Sequence, residues 1–471
     1  MRVCLICEGS YPYVAGGVSS WVQMLCSAFS DVEFVIWSIA TTREEMSELK
    51  YKLLDNIKEV RTIYLGDDEF SATHKRVRLT EEEVEALRQM VIPSKEPIDW
   101  KKVLYFIKKK RNRLVDILMD RDFYHICLEQ YEKSNSTETF KDYLWSFRSM
   151  YFPLMDILSG EILQADLYHS LSTGYAGILG SAAAYVENKP FLLSEHGIYT
   201  REREEDIIRA NWVQGEFKEL WIDFFKKLSM IAYRQANVVT TLFGVNRTLQ
   251  MELGCPQEKI ETIPNGVSVQ EFADMKSKGL LARDKFNIAA ILRIVPIKDV
   301  KTMLLAYQLV RIKEPNVRLT LLGNFDEDPY YYRECLALIQ ELNIRDVYFL
   351  GQVNIRDYLP DIDLLLLSSI SEGQPFAILE GMAAGVPVIS TNVGDCRELL
   401  EGTKEDELGP AGYIVPIMDN EAMADAMVYA IRHPKELEEM GRVGKERVKR
   451  YYQKEAFLEK YRDLYQRLGG E

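Results

Sequence analysis

"DLLLLSSISEGQPFAILEGMAAGVPVIST", Asp363 to Thr391, encodes a strand, a turn, a helix and a second strand in immediate succession. The apolar run Leu364 to Leu367 suits a strand buried on both faces of a parallel sheet. Ile370 to Gln374 then forms the loop at its C-terminal end, the edge at which open α/β sheets bind ligands. Pro375 suits a first helical position, and Gly385 with Pro387 stops the helix before "VPVIST". Glu372 therefore belongs to the loop and Glu380 to the helix. A loop carboxylate can accept hydrogen bonds from sugar hydroxyls or stabilise positive charge developing at a sugar carbon. One on the following helix can accept both hydroxyls of a ribose. Each residue also has a plainer reading: Glu372 as a charge favouring the helix N-terminus, Glu380 as part of a solvated helix face.

The same rhythm extends in both directions. "FNIAAIL", "VRLTLLG" and "VYFLG" precede the quoted stretch as strands, and "VCLICEG", "FVIWSI", "LYHSLS", "FLLSEH" and "NVVTTL" do so in the first half. Most are followed by a helix-sized segment, the mark of parallel sheets wrapped by helices. A chain of 471 residues exceeds one ordinary core, so two α/β domains with a cleft between them are expected. The Pro-Asn-Gly punctuation of "IETIPNGVSVQEF" and the polar stretch after it put the boundary near residue 277. The expected division is 1–276 and 277–452, with 453–471 a terminal helix carrying Phe457, Tyr461, Leu464 and Leu468 along one side. Charge-rich helical sequence from about 43 to 164 reads as an insertion in the first domain.

A net charge of -14 argues against a general nucleic-acid binder. No apolar run approaches the roughly 20 residues of a membrane span, and "RVCLICEG" after Met1 has no secretion-signal pattern, so the chain is expected in the cytoplasm. Its seven cysteines are scattered and suit reduced thiols. Cys4 and Cys7 have a metal-like spacing, but on a strand they point to opposite faces, so no metal site is expected.

Three further stretches carry candidate chemistry. Gly16 and Gly17 precede a helical pattern, where glycine lets backbone amides approach a phosphate at a helix start; a tight turn would need glycine equally. Arg293 at a strand end and Lys298 five residues later could neutralise a diphosphate without a metal. "LSEHGIYTRERE" sets Glu195, His196 and Arg201 after a buried strand, at the edge where ligands bind. The basic stretch Trp100 to Met119 spaces Val103, Ile107, Leu114, Ile117 and Leu118 for one apolar face. It could meet an anionic membrane surface or a membrane partner, but a stripe covering the first domain's core is the favoured reading.

Together these pieces resemble the retaining glycosyltransferases of family 4: the Gly-Gly loop, His196, "PNGV" at 264–267, Arg293 with Lys298, and the Glu372 and Glu380 pair. More narrowly, "SEHGIYTRERE", "RIVPIKDVKT" and "VGDCREL" are similar to the cytoplasmic glycosyltransferases of Pel exopolysaccharide systems. The resemblance implies a GT-B fold, two Rossmann-like domains facing across a deep cleft, with the terminal helix crossing back to the first domain. It implies a UDP-sugar donor, UDP-glucose or UDP-GlcNAc, an exopolysaccharide acceptor, no metal, and a membrane-embedded Pel-type synthase complex as partner. On the donor side it implies Arg293 and Lys298 on the diphosphate, Gly16 and Gly17 meeting it from the other domain, and Glu380 on the ribose. Glu372 would contact the sugar, the Phe376 and Ala377 amides would lie nearby, and Asn265 would belong to the same side. His196 would approach the sugar, with Glu195 and Arg201 toward the acceptor. Leu292 and Gly381 depart from the usual pattern, Gly and Ala respectively. A nucleotide-sugar epimerase, a phosphorylase and a donor-binding subunit with little activity alone remain the competing readings.

Overall fold

The computed structural model describes residues 1–470 except 44–47, 66–71, 74, 93–96, 135, 214, 216 and 274. Its chain divides into two units: Met1–Thr262 with Tyr461–Glu471, and Ile263–Lys460.

The first unit is built on a seven-stranded sheet: β1 (Arg2–Glu8), β2 (Glu33–Ala40), β3 (Ile57–Tyr64), β4 (Leu167–Ser170), β5 (Phe191–Glu195), β6 (Val238–Thr241) and β7 (Ile260–Thr262), in the order 3-2-1-4-5-6-7. Every neighbouring pair is parallel. The segment read as an insertion from 43 contains β3, so the helical addition begins only after that strand. The sequence of β3, "IKEVRTIY", mixes charged and apolar residues because this edge strand is largely half-buried or exposed, which removed the apolar signal. The basic stretch is two helices, Trp100–Lys109 and Leu114–Met119, broken by a 3-10 turn at Arg111–Arg113. Val103, Ile107, Leu114, Ile117 and Leu118 all lie in the core of the first unit.

The second unit carries six strands: β8 (Phe286–Ile291), β9 (Val317–Leu322), β10 (Val347–Phe349), β11 (Leu364–Leu367), β12 (Val388–Thr391) and β13 (Gly412–Val415), in the order 10-9-8-11-12-13. They too pair in parallel. β11 is buried at all four positions, as its uninterrupted leucines require. The division falls after Thr262 rather than near 277. Val267 and Phe272 belong to a core of the second unit, and Val267 bridges to Gln453.

The helix Lys454–Gly469 passes from one unit to the other, its residues from Tyr461 onward belonging to the first. There Arg462 pairs with Asp31 and Arg467 with Glu261. All seven cysteines are free and buried, and burial pushes the Cys7 thiol up to about 12. Among the described residues no helix is long and apolar enough to cross a membrane.

Candidate functional site

In the second unit β8 is followed by β9 on one side of the sheet, and β11 by β12 on the other. The crevice between β8 and β11 is therefore the topological switch point, where doubly wound sheets bind ligands. The loops leaving these two strands are stitched together. Ser368 Oγ donates to Lys298 O at 2.7 Å, and Ile370 N donates to Ile297 O at 2.9 Å.

After β8 the chain runs through Arg293 into a 3-10 turn, Pro296–Lys298. Lys298 closes that turn instead of opening the helix. Asp299 intervenes at φ 43 and caps the helix Val300–Lys313 by accepting from Thr302 N at 3.3 Å. Lys298 Nζ lies 2.5 Å from Glu372 Oε1, with the two side chains only 17% and 11% exposed. Ser369 Oγ donates to the same oxygen at 2.5 Å. Arg293 pairs with Glu327, both side chains being roughly two-fifths exposed.

The Glu372 loop is held from both sides. Asn265, buried, donates its backbone N–H to Gln374 Oε1 at 2.6 Å and its Nδ2 to Gln374 O at 3.4 Å. Gln374 Nε2 donates to Asp395, whose own N–H donates to Gly373 O at 2.9 Å. Gly394 has φ 52, and a Cβ there would sit 2.3 Å from the carbonyl oxygens of Glu372 and Gly373. Only glycine permits both that backbone conformation and that approach. Asn265 thus braces the loop. Gln374, Gly394 and Asp395 were missed as site residues, although the Gly-Asp pair directly after "VPVISTNV" was a usable turn signal.

Pro375 is the cap, outside the helix Phe376–Ala384, and its carbonyl accepts from Ile378 N at 3.1 Å. Phe376 and Ala377, half-buried, supply the first two amides, which no earlier turn can satisfy. Gly385 ends the helix at φ 81. Glu380 is half-buried and has no hydrogen-bond partner among the described residues. Burial pushes its carboxyl up to about 7, with Arg356 opposing the rise and Glu271 reinforcing it. Gly381 has a packing reason. A methyl there would fall 2.2 Å from Leu365 Cδ1, so glycine brings this helix against β11.

In the first unit the equivalent switch point lies between β1 and β4. Gly16 caps the helix Gly17–Ala28 in extended backbone, and a Cβ on Gly16 or Gly17 would meet nothing within 4 Å. Crowding by neighbouring atoms therefore does not explain the pair, and the space beside the first amides of that helix is open. His196 follows β5, packs edge-on to Trp21 at 4.8 Å, and is pushed down to about 4 by burial. It is a neutral imidazole near pH 7. Arg201 is exposed in the first turn of the helix Tyr199–Arg209.

Glu195 differs from the acceptor contact expected of it. It is buried, and its oxygens accept from Thr173 Oγ1 at 3.4 Å, Tyr199 N at 3.2 Å, Tyr233 OH at 2.5 Å and Gln250 Nε2 at 3.0 Å. Those bonds turn the carboxylate inward and fix the Glu195–Tyr199 turn that carries His196. Glu8, at the end of β1, accepts from Tyr199 OH at 2.7 Å and Ala176 N at 3.1 Å. It was also missed, because a single Glu after a strand carries no pattern.

Two parallel sheets of this strand order, together with the solved structures they resemble, place the chain in the GT-B fold. Anabaena HepE in complex with UDP aligns with TM-score 0.64 at 13% identity, over 99% of this chain and 100% of that one. Sucrose-phosphate synthase from Thermosynechococcus elongatus aligns at 0.62 and 18%, over 100% and 99%. The chain belongs to the family described as "Domain of unknown function (DUF3492)", which matches residues 1–258, and residues 285–433 match "Glycosyl transferases group 1".

Among curated relatives, N-acetyl-alpha-D-glucosaminyl L-malate synthase of Bacillus anthracis is 29% identical over 49% of this chain. MMP alpha-(1->4)-mannosyltransferase of Mycolicibacterium hassiacum is 22% identical over 62%. The match spans 60% of the first relative's length and 68% of the second's.

Proposed function

We propose that the protein is a retaining hexosyltransferase of family 4 that moves a sugar from a UDP-sugar, UDP-glucose or UDP-GlcNAc, to a growing exopolysaccharide of the Pel type. The observation that carries this is the Lys298 and Glu372 pair at the second switch point, 2.5 Å apart on two stitched loops. A diphosphate entering there takes over Lys298 and Arg293, two cations that can neutralise it without a divalent metal. The Phe376 and Ala377 amides add donors at a helix N-terminus. Glu372 is then released toward the donor sugar, and Glu380, whose carboxyl has no hydrogen-bond partner among the described residues, accepts the ribose hydroxyls. Asn265 keeps the loop in register.

In this reading the first unit binds the acceptor, with Gly16 and Gly17 leaving room for the donor's phosphates. His196 faces the sugar as a neutral hydrogen-bonding group, and Arg201 lies toward the acceptor. Glu195 positions this segment. Retention of configuration needs no side-chain nucleophile if the acceptor hydroxyl attacks on the face that the diphosphate leaves. It gives its proton to the departing phosphate oxygen, and Glu372 stabilises the positive charge on the ring carbon. The enzyme works at the inner face of the membrane, delivering polymer to a synthase complex.

Incubation with UDP-glucose or UDP-GlcNAc and purified oligosaccharide acceptors, in chelator, tests the reading. A new glycosidic bond of the donor's configuration, lost in Glu372→Ala and Lys298→Ala, is expected. An epimerised nucleotide sugar, phosphate-dependent turnover, or full activity in either variant would refute it.

A further inference from the structure

Nε2 of His196 is buried and has no hydrogen-bond partner among the described residues. Packing, rather than a hydrogen bond at that nitrogen, therefore directs the ring. The packing partner is Trp21, whose ring meets the imidazole edge-on at 4.8 Å and 78°. Trp21 is fully buried in the helix Gly17–Ala28. It also meets Tyr461 edge-on at 5.1 Å and His169 at 6.0 Å. Edge-to-face pairs at these separations are directional, so each ring constrains the next.

The Tyr461 and His169 rings that meet Trp21 are themselves held by hydrogen bonds. Tyr461 OH is 2.9 Å from Thr240 Oγ1 and 3.1 Å from Ser194 Oγ. His169 is 2.8 Å from Ser194 Oγ through Nε2 and 2.8 Å from Tyr465 OH through Nδ1. Strands β4, β5 and β6 and the terminal helix thereby share one buried polar cluster. That helix starts in the second unit and enters the first at Tyr461.

We propose that Trp21 is a positioning residue for His196, and that the terminal helix fixes it there through Tyr461. Tyr461 is the first residue of that helix to belong to the first unit, so the segment entering from the second unit opens on a ring packed against Trp21. The catalytic consequence rests on the proposed function, in which His196 faces the donor sugar.

Trp21→Leu, Trp21→Phe and Tyr461→Phe in the full chain test this with two readouts. One is the side-chain NMR titration of His196, assigned from the signal lost in His196→Gln. The other is UDP release from UDP-glucose and UDP-GlcNAc in the presence of purified oligosaccharide acceptors. Trp21→Leu is expected to move the His196 titration up from about 4 toward its ordinary range. It should lower kcat about tenfold, as loss of orientation does, with the donor KM unchanged. Trp21→Phe, which keeps a ring edge, should recover most of both. Tyr461→Phe, which loses the hydroxyl's contacts to Thr240 and Ser194 and keeps the ring, should give a smaller upward shift. A His196 titration in Tyr461→Phe and Trp21→Leu that coincides with the parent protein's would overturn the proposal, as would a raised donor KM with kcat intact. If Trp21→Leu does not fold, Tyr461→Phe decides. If the parent turns over neither donor, the proposed reaction fails, while the titration still decides the coupling.

Discussion

Lys298 Nζ lies 2.5 Å from Glu372 Oε1, so the cation assigned to the diphosphate and the carboxylate assigned to the sugar neutralise each other. Under the proposed function, binding of a diphosphate to Lys298 is also the step that frees Glu372. Glu372→Gln should retain UDP binding by calorimetry, because a neutral amide competes less for the ammonium. Turnover measured by UDP release should fall about 100-fold or more, the usual cost of removing one group that stabilises transition-state charge.

Glu380 gives a pH dependence with a definite sign. Its carboxyl is pushed up to about 7 by burial, above the ordinary 4.5. A group raised in the folded state favours folding at low pH, and that contribution is lost as pH rises through the folded value. Thermal melts of Glu380→Gln and the parent should therefore diverge in the variant's favour between about pH 5 and 8. Under the proposed function, UDP affinity of the parent relative to the variant should move oppositely, strengthening as the carboxylate forms.

The two kinds of glycine separate structural need from ligand space. Gly394→Ala forces a Cβ to within 2.3 Å of the Glu372 and Gly373 carbonyls at φ 52. It should cost about 1 to 3 kcal/mol, the scale of imposed backbone strain, seen as a lower denaturation midpoint. Gly16→Ala meets no neighbour and should change stability by less than about 0.5 kcal/mol. Under the proposed function it should still raise the donor KM.

Arg293 should behave unlike a structural arginine. Its pair with Glu327 is well exposed, and exposed pairs contribute about 0 to 1 kcal/mol. Arg293→Ala should melt within a few degrees of the parent while losing UDP affinity measurably in calorimetry.

Much of this was legible in the sequence, for physical reasons. A short run of uninterrupted leucines bounded by turn signals suits a strand covered on both faces, so β11 was readable, and Gly385 with Pro387 marked the helix end. β3 did not, because an edge strand needs no apolar run. The positions of Glu372 and Glu380 followed from the strand-loop-helix order. The interactions that hold Glu372 in place did not, since Asn265, Gln374 and Asp395 meet only after folding, across 130 residues of chain. Glu195 shows the converse: a carboxylate beside a candidate histidine looks functional in sequence, whereas its four donors arrive from Thr173, Tyr199, Tyr233 and Gln250.

The central claim is that the β8 and β11 loops hold a nucleotide diphosphate sugar through Lys298. Isothermal titration of the parent and of Lys298→Ala with UDP, in chelator, tests it most directly. The account predicts binding to the parent and a loss of about 10- to 100-fold in the variant, the value of one charge-assisted contact. Equal affinity in the two proteins, or no UDP binding by the parent, would contradict it.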